Sequence, residues 1–408
     1  MSLQSRLANL SYEQLLEIAV DGCARSRRTK NKADALIALV APLPLHCVDV
    51  LLSPDVLPQL FSSLGLSEHA AAGVCRTWSR AYSRQLRRCC YVNPGTVKKL
   101  AGVPELPNGL CALPGGVLAI SSYTGHHQSV VKFVASAHPD TDPQALAACH
   151  ARSLAAARRL SWPSGMALAR DGVLLVCTTS YDYPNTFDNY PPCAMFKVAT
   201  DGSMEERATA PALDDYGLGF TRCAVHELTQ RTYALAKGYD ERQAVVILDA
   251  ELRVLATIAA TAECLQIQVA YRSWFDDDDY KPYLRDVAVH GDQVVLLTSL
   301  HPAGPSELLL LDLDGVYQRG LAFGRFKNPW AVTAWRGRAF VVDEGPVPRK
   351  KVLHVIDIQS GDYMQKAVFK LDCTPDEISA VCVDGDKIYI AAKYHDRVVG
   401  LQLAGSEA

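Results

Sequence analysis

The sequence predicts a mainly β protein, a six-bladed β-propeller preceded by a small all-α region. Three observations predict it. An apolar run, a tight turn and a second apolar run recur six times in the long C-terminal part. Shorter units of strand, acidic turn and strand fall between several of them. Helical periodicity is concentrated ahead of the break "YVNPGTV" at 91–97, after which period-2 runs take over.

The recurring unit reads "NGLCALPGGVLAIS", "PSGMALARDGVLLVCTT", "RCAVHELTQRTYALA", "RDVAVHGDQVVLLTS", "NPWAVTAWRGRAFVV" and "EISAVCVDGDKIYIAA". Alignment on one alanine places Ala112, Ala167, Ala224, Ala288, Ala331 and Ala380 in register, with gaps of 55, 57, 64, 43 and 49 residues. The second unit reads "FKVATDGSMEE", "VILDAELRVLA", "LLLDLDGVYQ" and "HVIDIQSGDYM". Each repeat thus supplies four strands joined by Asp-Gly and similar hairpin turns. Such a sheet cannot bury both faces alone. Stacking six of them radially buries the faces and leaves few edges, whereas a sandwich does not explain recurrence at one phase.

The last repeat is one strand short, since only "AGSEA" follows "RVVGLQL". "GTVKKLAG", just before the first repeat, is expected to supply it and join the ends of the ring. Three insertions interrupt the blades. Residues 137–160 are Ala/Arg-rich and predict a short helix. Residues 181–192, "YDYPNTFDNYPP", and 271–283, "YRSWFDDDDYKPY", are aromatic and polar, and they need not share a rim.

The expected domains are 1–43, 44–93 and 94–405. Ser11 is a candidate N-cap, and Leu15, Leu16, Ile18 and Ala19 form an apolar stripe that Gly22 ends. A basic loop, "RSRRTKNK", leads to a second stripe at Leu36, Ile37 and Val40. This helix–loop–helix loosely resembles a SAP-type DNA-binding unit at one residue's offset. A small helical packing unit is expected in preference to DNA binding.

After the break "APLPL" comes "SPDVLPQLFSSLGLSEHAAAGVCRTW" at 53–78, two amphipathic helices in a row. Pro54, Asp55, Val56, Leu57, Phe61, Leu64, Val74, Cys75, Arg76 and Trp78 follow the pattern of an F-box, which the segment resembles. The resemblance implies binding rather than catalysis. Pro54, Val56, Leu57, Leu60, Phe61, Leu64, Val74, Cys75 and Trp78 would dock on the adaptor subunit of a cullin-RING ubiquitin ligase by apolar burial concentrated in a few anchors. A two-helix core packed against residues 10–40 is the alternative.

"FGRFKNPWAV" at 323–332 and "RLSWPSGMAL" at 159–168 resemble the start of a blade in NHL-type propellers and their relatives, a likeness of fold rather than of function. Lactonase-type relatives hold a divalent metal in the central tunnel. By that resemblance Glu105, Asn108, Asp286 and Asp376 are metal-ligand candidates, although acids before inner strands often cap turns.

Composition narrows the classes. Net charge is −3, but residues 1–100 carry 13 Lys/Arg against 7 Asp/Glu, so a basic front precedes an acidic body. Neither nucleic-acid binding over the whole chain nor disorder is expected. The 13 cysteines lie in apolar runs without zinc spacing, as reduced thiols in a cytoplasmic or nuclear protein do. No apolar run is long enough to span a membrane. His126–His127 lack a third ligand, and no P-loop or dinucleotide fingerprint occurs.

The expected function is therefore the substrate receptor of an SCF-type ubiquitin ligase, without catalysis, cofactor or metal. Its partners would be the adaptor, through it a cullin, and a protein target. A lactonase-like hydrolase and a binding propeller unrelated to ligases are the alternatives. Tyr181, Tyr183, Trp274 and Phe275 are candidate target contacts, and Asp276 and Asp277 would favour a basic partner.

Overall fold

A computed structural model describes residues 91–404 apart from 125–127, 137–141, 157–159, 161–162, 180–193, 200–202, 210–216, 239–241, 262–264, 266–281, 301–304, 345–349, 372–377 and 386. The F-box-like segment, the boundary at 43, and Tyr181, Tyr183, Trp274, Phe275, Asp276, Asp277, His126 and Asp376 lie outside the described residues.

Residues 92–404 form one compact unit. It is a six-bladed propeller. Blade one is β2 (Pro107–Leu113), β3 (Val117–Thr124) and β4 (Gln128–Ala135). Blade two is β5 (Pro163–Leu168), β6 (Leu174–Thr178), β7 (Ala194–Val198) and β8 (Met204–Thr209). Blade three is β9 (Gly217–Val225), β10 (Thr232–Gly238), β11 (Gln243–Leu248) and β12 (Val254–Ala259). Blade four is β13 (Pro282–His290), β14 (Gln293–Leu300), β15 (Ser306–Leu311) and β16 (Tyr317–Phe326). Blade five is β17 (Pro329–Trp335), β18 (Arg338–Glu344), β19 (Lys350–Asp357) and β20 (Tyr363–Lys370). Blade six is β21 (Ile378–Asp384), β22 (Lys387–Ala392) and β23 (Arg397–Ala404), completed by β1 (Tyr91–Lys99).

The expected closure is present: the last sheet runs β1-β23-β22-β21, and Leu100 N–H donates to Val398 O at 2.9 Å. Inner strands β2, β5, β9, β13, β17 and β21 contact one another in a closed ring. Burial follows position in the blade. Strands such as β11 and β15 are buried along their whole length between neighbouring blades, and after Gln243 in one and Ser306 and Glu307 in the other they are apolar runs. Outer strands such as β20 alternate exposed and buried residues. An apolar core fills each blade interface. Leu118, Ile120, Tyr389 and Val398, for example, join blades one and six.

Blade one departs from the expected four strands. Its described sheet has three, and α1 (Pro143–Ala156) follows them. Leu146 and Cys149 of α1 pack on the core between blades one and two, as a fourth strand would. The acidic turns are held by their first residue. Asp249 Oδ1 accepts from the N–H groups of Glu251 and Arg253 at 3.0 and 2.8 Å, and Asp312 repeats this with Asp314 and Val316 at 3.0 and 2.9 Å.

The shared alanine phase holds only in part. Every inner strand has an irregularity near its start, and counting from it puts Ala331 and Ala380 two residues earlier than Ala288. An extra residue resets the alternation at that point, so blades that share a pattern differ in register.

Candidate functional site

The irregularities define one level near the end of the axial tunnel where the inner strands begin. There Asn108, Thr221, Arg285, Trp330 and Ser379 are the extra residues of their strands. In blade two Ser164 and Gly165 both fall in the shift. Around half of the ring these side chains tie one blade to the next. Ser379 Oγ donates to Pro107 O at 2.7 Å, Asn108 Nδ2 to Pro163 O at 3.0 Å, and Ser164 Oγ to Phe220 O at 3.2 Å. The strands come so close that a Cβ on Gly165 would lie 2.6 Å from Arg222 Cα.

The other half of the ring is built differently. Arg222 of blade three extends across the axis, and its Nη2 donates to Ser379 O of blade six at 2.7 Å. Its Nε lies 3.8 Å from Asp286 Oδ1, an ion-pair distance without a hydrogen bond. Asp286 accepts from the N–H groups of Val287 and Val332, both at 2.9 Å, and the second of these ties blade four to blade five. Burial pushes the Asp286 carboxyl up to about 6, against the pull of Arg222 and the two N–H groups. The cavity around the pair is about 260 Å³ and is lined mostly by apolar residues, Trp335 and Met166 among them, with Thr333 and the thiols of Cys111, Cys223 and Cys382. Burial pushes the Cys111 thiol up to about 12, so it is a packing group rather than a nucleophile.

Among the described residues, cations and aromatic rings meet at the same end of the tunnel. The Arg285 guanidinium lies 4.5 Å from the ring centroids of both Tyr283 and Trp330, and its Nε donates to Ser299 Oγ at 2.9 Å. Lys237 Nζ donates to the Tyr283 hydroxyl at 3.1 Å. Lys393, between β22 and β23 of blade six, has its ammonium pushed down by burial and by Arg222. The Trp330 indole N–H is buried without a hydrogen-bond partner.

The lactonase-type ligand set is not assembled among the described residues. Glu105 is exposed, the Asn108 amide is held by Pro163, and Asp286 is held by Arg222. No three His, Cys, Asp or Glu side chains among the described residues are grouped to hold a metal. The described strand ends at Thr178 and Pro282 pair with Pro163 and Leu300, so both lie at the end where the inner strands begin.

Sequence reasoning missed a second cluster, which spans blade five. His354 Nε2 is 2.9 Å from Asp343 Oδ2, and its Nδ1 hydrogen-bonds the Tyr363 hydroxyl. The order resembles a nucleophile relay, but burial and the Asp343 charge push the Tyr363 hydroxyl up to about 12. Asp343 also accepts from the N–H groups of Lys327 and Asn328, at 2.9 and 2.7 Å. The array fixes the start of blade five.

No family model and no curated protein sequence matches the chain. Several solved structures align with it at low identity and with TM-scores below 0.5. A gluconolactonase from Xanthomonas campestris is 11% identical at a TM-score of 0.47, covering 76% of this chain and 91% of its own. The virginiamycin B lyase of Staphylococcus aureus is 11% identical at 0.41, covering 76% and 99%. An aldose sugar dehydrogenase of Streptomyces coelicolor is 12% identical at 0.45, covering 76% and 99%. Likeness at this level says nothing of activity. No helix among the described residues is long and apolar enough to cross a membrane.

Proposed function

We propose that this propeller is a recognition module without catalysis of its own, presented as a substrate receptor by the F-box-like segment at 53–78. One observation carries the first half of that reading. The Arg222 and Asp286 side chains in the tunnel are engaged with each other, with main-chain N–H groups and with the Ser379 carbonyl. They act as a strut across the ring, and contact with a partner is left to the mouth and rim. The ligase half rests on the sequence pattern from Pro54 to Trp78.

The test is capture of the full chain by purified ligase adaptor. Leu57→Ala with Phe61→Ala should abolish capture and leave the propeller's melting transition in place. Wild-type chain that folds and is not captured would remove the ligase half.

A lactonase-like hydrolase is the second reading, favoured by one observation: a carboxyl, Asp286, that lines the tunnel cavity and that burial pushes up to about 6. Lactone hydrolysis by the full chain, with and without a divalent cation, separates the two. Turnover that is lost in Asp286→Asn would replace the recognition reading.

A further inference from the structure

Beyond the Arg222 brace the axial tunnel is a cavity of its own, separate from the mouth and rim left to a partner. Its volume is about 260 Å³, and all six inner strands line it. The lining starts at the level of Arg222, Asp286 and Val332 and runs to Val225, Val289, Trp335 and Val383. Tyr283, Arg285 and Trp330, at the end where the inner strands begin, do not line it. The brace therefore bounds the cavity on that side. At the far side the lining residues are half-buried, so the cavity opens among the hairpins that join inner to second strands. Those hairpins are described in full except for residue 386.

The wall of this cavity is more polar than its side chains. Each inner strand is the terminal strand of its sheet and pairs on one side only. In an antiparallel pair, every second residue turns both its N–H and its C=O away from the partner strand. Those groups face the axis. Among the described residues, no main-chain hydrogen bond joins one inner strand to the next along this stretch. The side chains add the Thr333 hydroxyl and two opposite charges. Arg222 uses two of its five N–H groups, on the Ser379 and Thr221 carbonyls at 2.7 and 2.9 Å. Asp286 lies 3.8 Å from its Nε. The remaining side chains are apolar or are thiols held protonated at neutral pH.

We propose that this cavity binds a small uncharged polyol, about the size of one six-membered ring, through the free edges of the inner strands and the Arg222 and Asp286 side chains. Three constraints select that class. One guanidinium and one carboxylate oppose each other, so an ion attracted by the first is repelled by the second. An apolar occupant would strip water from the edge N–H and C=O groups without replacing its hydrogen bonds. A hydroxyl both donates and accepts, so it suits either group. Size sets the third constraint. A cavity of about 150 Å³ takes benzene, so 260 Å³ takes about ten non-hydrogen atoms, and a ring loses less freedom on entry than an open chain.

The probe is myo-inositol, titrated calorimetrically into the full chain. It should bind saturably, one per chain, with a Kd of about 1 mM or tighter. Cyclohexanol, the same ring with one hydroxyl, should bind at least about tenfold more weakly. Trehalose, with two rings, should not bind. Thr333→Trp and Val289→Phe each place a large side chain in the cavity and should abolish binding. Leu228→Ala, exposed at a hairpin tip outside it, should leave binding unchanged. Circular dichroism melts show which variants are folded, and either filling variant that folds decides the location.

Heat that does not saturate, or that trehalose matches, means that the tunnel holds water only and overturns the proposal. Unchanged binding in a folded filling variant puts the polyol elsewhere and overturns it too. Tighter binding of cyclohexanol, or of the charged ring cyclohexanecarboxylate, overturns the ligand class. Adaptor capture by the full chain is a separate measurement, so failure of the ligase reading leaves this one standing.

Discussion

Arg222 of blade three donates a hydrogen bond to the Ser379 carbonyl of blade six, directly across the propeller axis, at 2.7 Å. The two residues stand 157 positions apart in the chain, and in a six-membered ring their blades face each other. One side chain thus braces the tunnel along its diameter, while Asp286 beside it ties blade four to blade five.

Removing that brace should be costly. Arg222→Ala leaves Asp286 buried without its cation, and breaking a buried pair from one side typically costs about 3–5 kcal/mol. Arg222→Lys should recover little, because an ammonium cannot serve both the carbonyl and the carboxylate as a planar fork does. Chemical denaturation of the two variants measures both effects. An Arg222→Ala protein as stable as wild type would show that the pair contributes nothing.

Blade five should be sensitive to acid through Asp343. Burial raises its pKa, but the His354 hydrogen bond and the Lys327 and Asn328 N–H groups outweigh burial and hold it below the ordinary carboxylate value. Its contribution is therefore fully present above the unfolded pKa and is lost as pH falls through the lower folded one. Asp343→Asn should be less stable near neutral pH and lose less on acidification. His354→Ala should cost about 1–3 kcal/mol by stranding both partners. Stability measured from pH 7 into the acid range checks both.

Glu307 works in the opposite sense. Its side chain is buried beside Gly320, and burial pushes its carboxyl from 4.5 up to about 7. A raised carboxylate pKa means that wild-type stability declines as pH rises from the unfolded value toward the folded one. Glu307→Gln should abolish that decline and stabilise the protein at pH 8 by up to about 3 kcal/mol. Equal pH dependence of wild type and variant in thermal melts would contradict it.

Much of this architecture is legible in the chain because a blade is a local object. A hairpin such as Ala380 to Ala391 is written within a few residues, so its alternation and turn survive as pattern. The missing strand at "RVVGLQL" is equally a local count. Two things escape. The extra residue near each inner-strand start shifts Ala331 and Ala380 against Ala288, and a fixed phase hides it. The meeting of Arg222 with Ser379, or of Arg285 with Trp330, depends on ring closure, which no local window contains. A usable signal was present: Arg222, Arg285 and Asp286 are charges inside otherwise apolar inner-strand runs. Helix α1 stands in for a strand because Leu146 and Cys149 cover the same core, a substitution that strand periodicity cannot register.

The closure strand gives the last prediction. β1 comes from the start of the propeller and β23 from its end, and their pairing is the covalent chain's way of shutting the ring. In an antiparallel or parallel pair, successive N–H groups point to opposite sides, so two consecutive prolines must remove one that faces β23. Val97→Pro with Lys98→Pro should therefore free the β23 edge while leaving blades two to five intact. An open edge has two measurable effects. Hydrogen exchange should rise first in β23 and β22 and only later in β10 or β14, and the protein should associate through the exposed strand as concentration rises. Exchange mass spectrometry and sedimentation on the variant read these out separately. Uniform exchange across all blades, with a monomer at every concentration, would mean that β1 adds a strand without holding the ring shut.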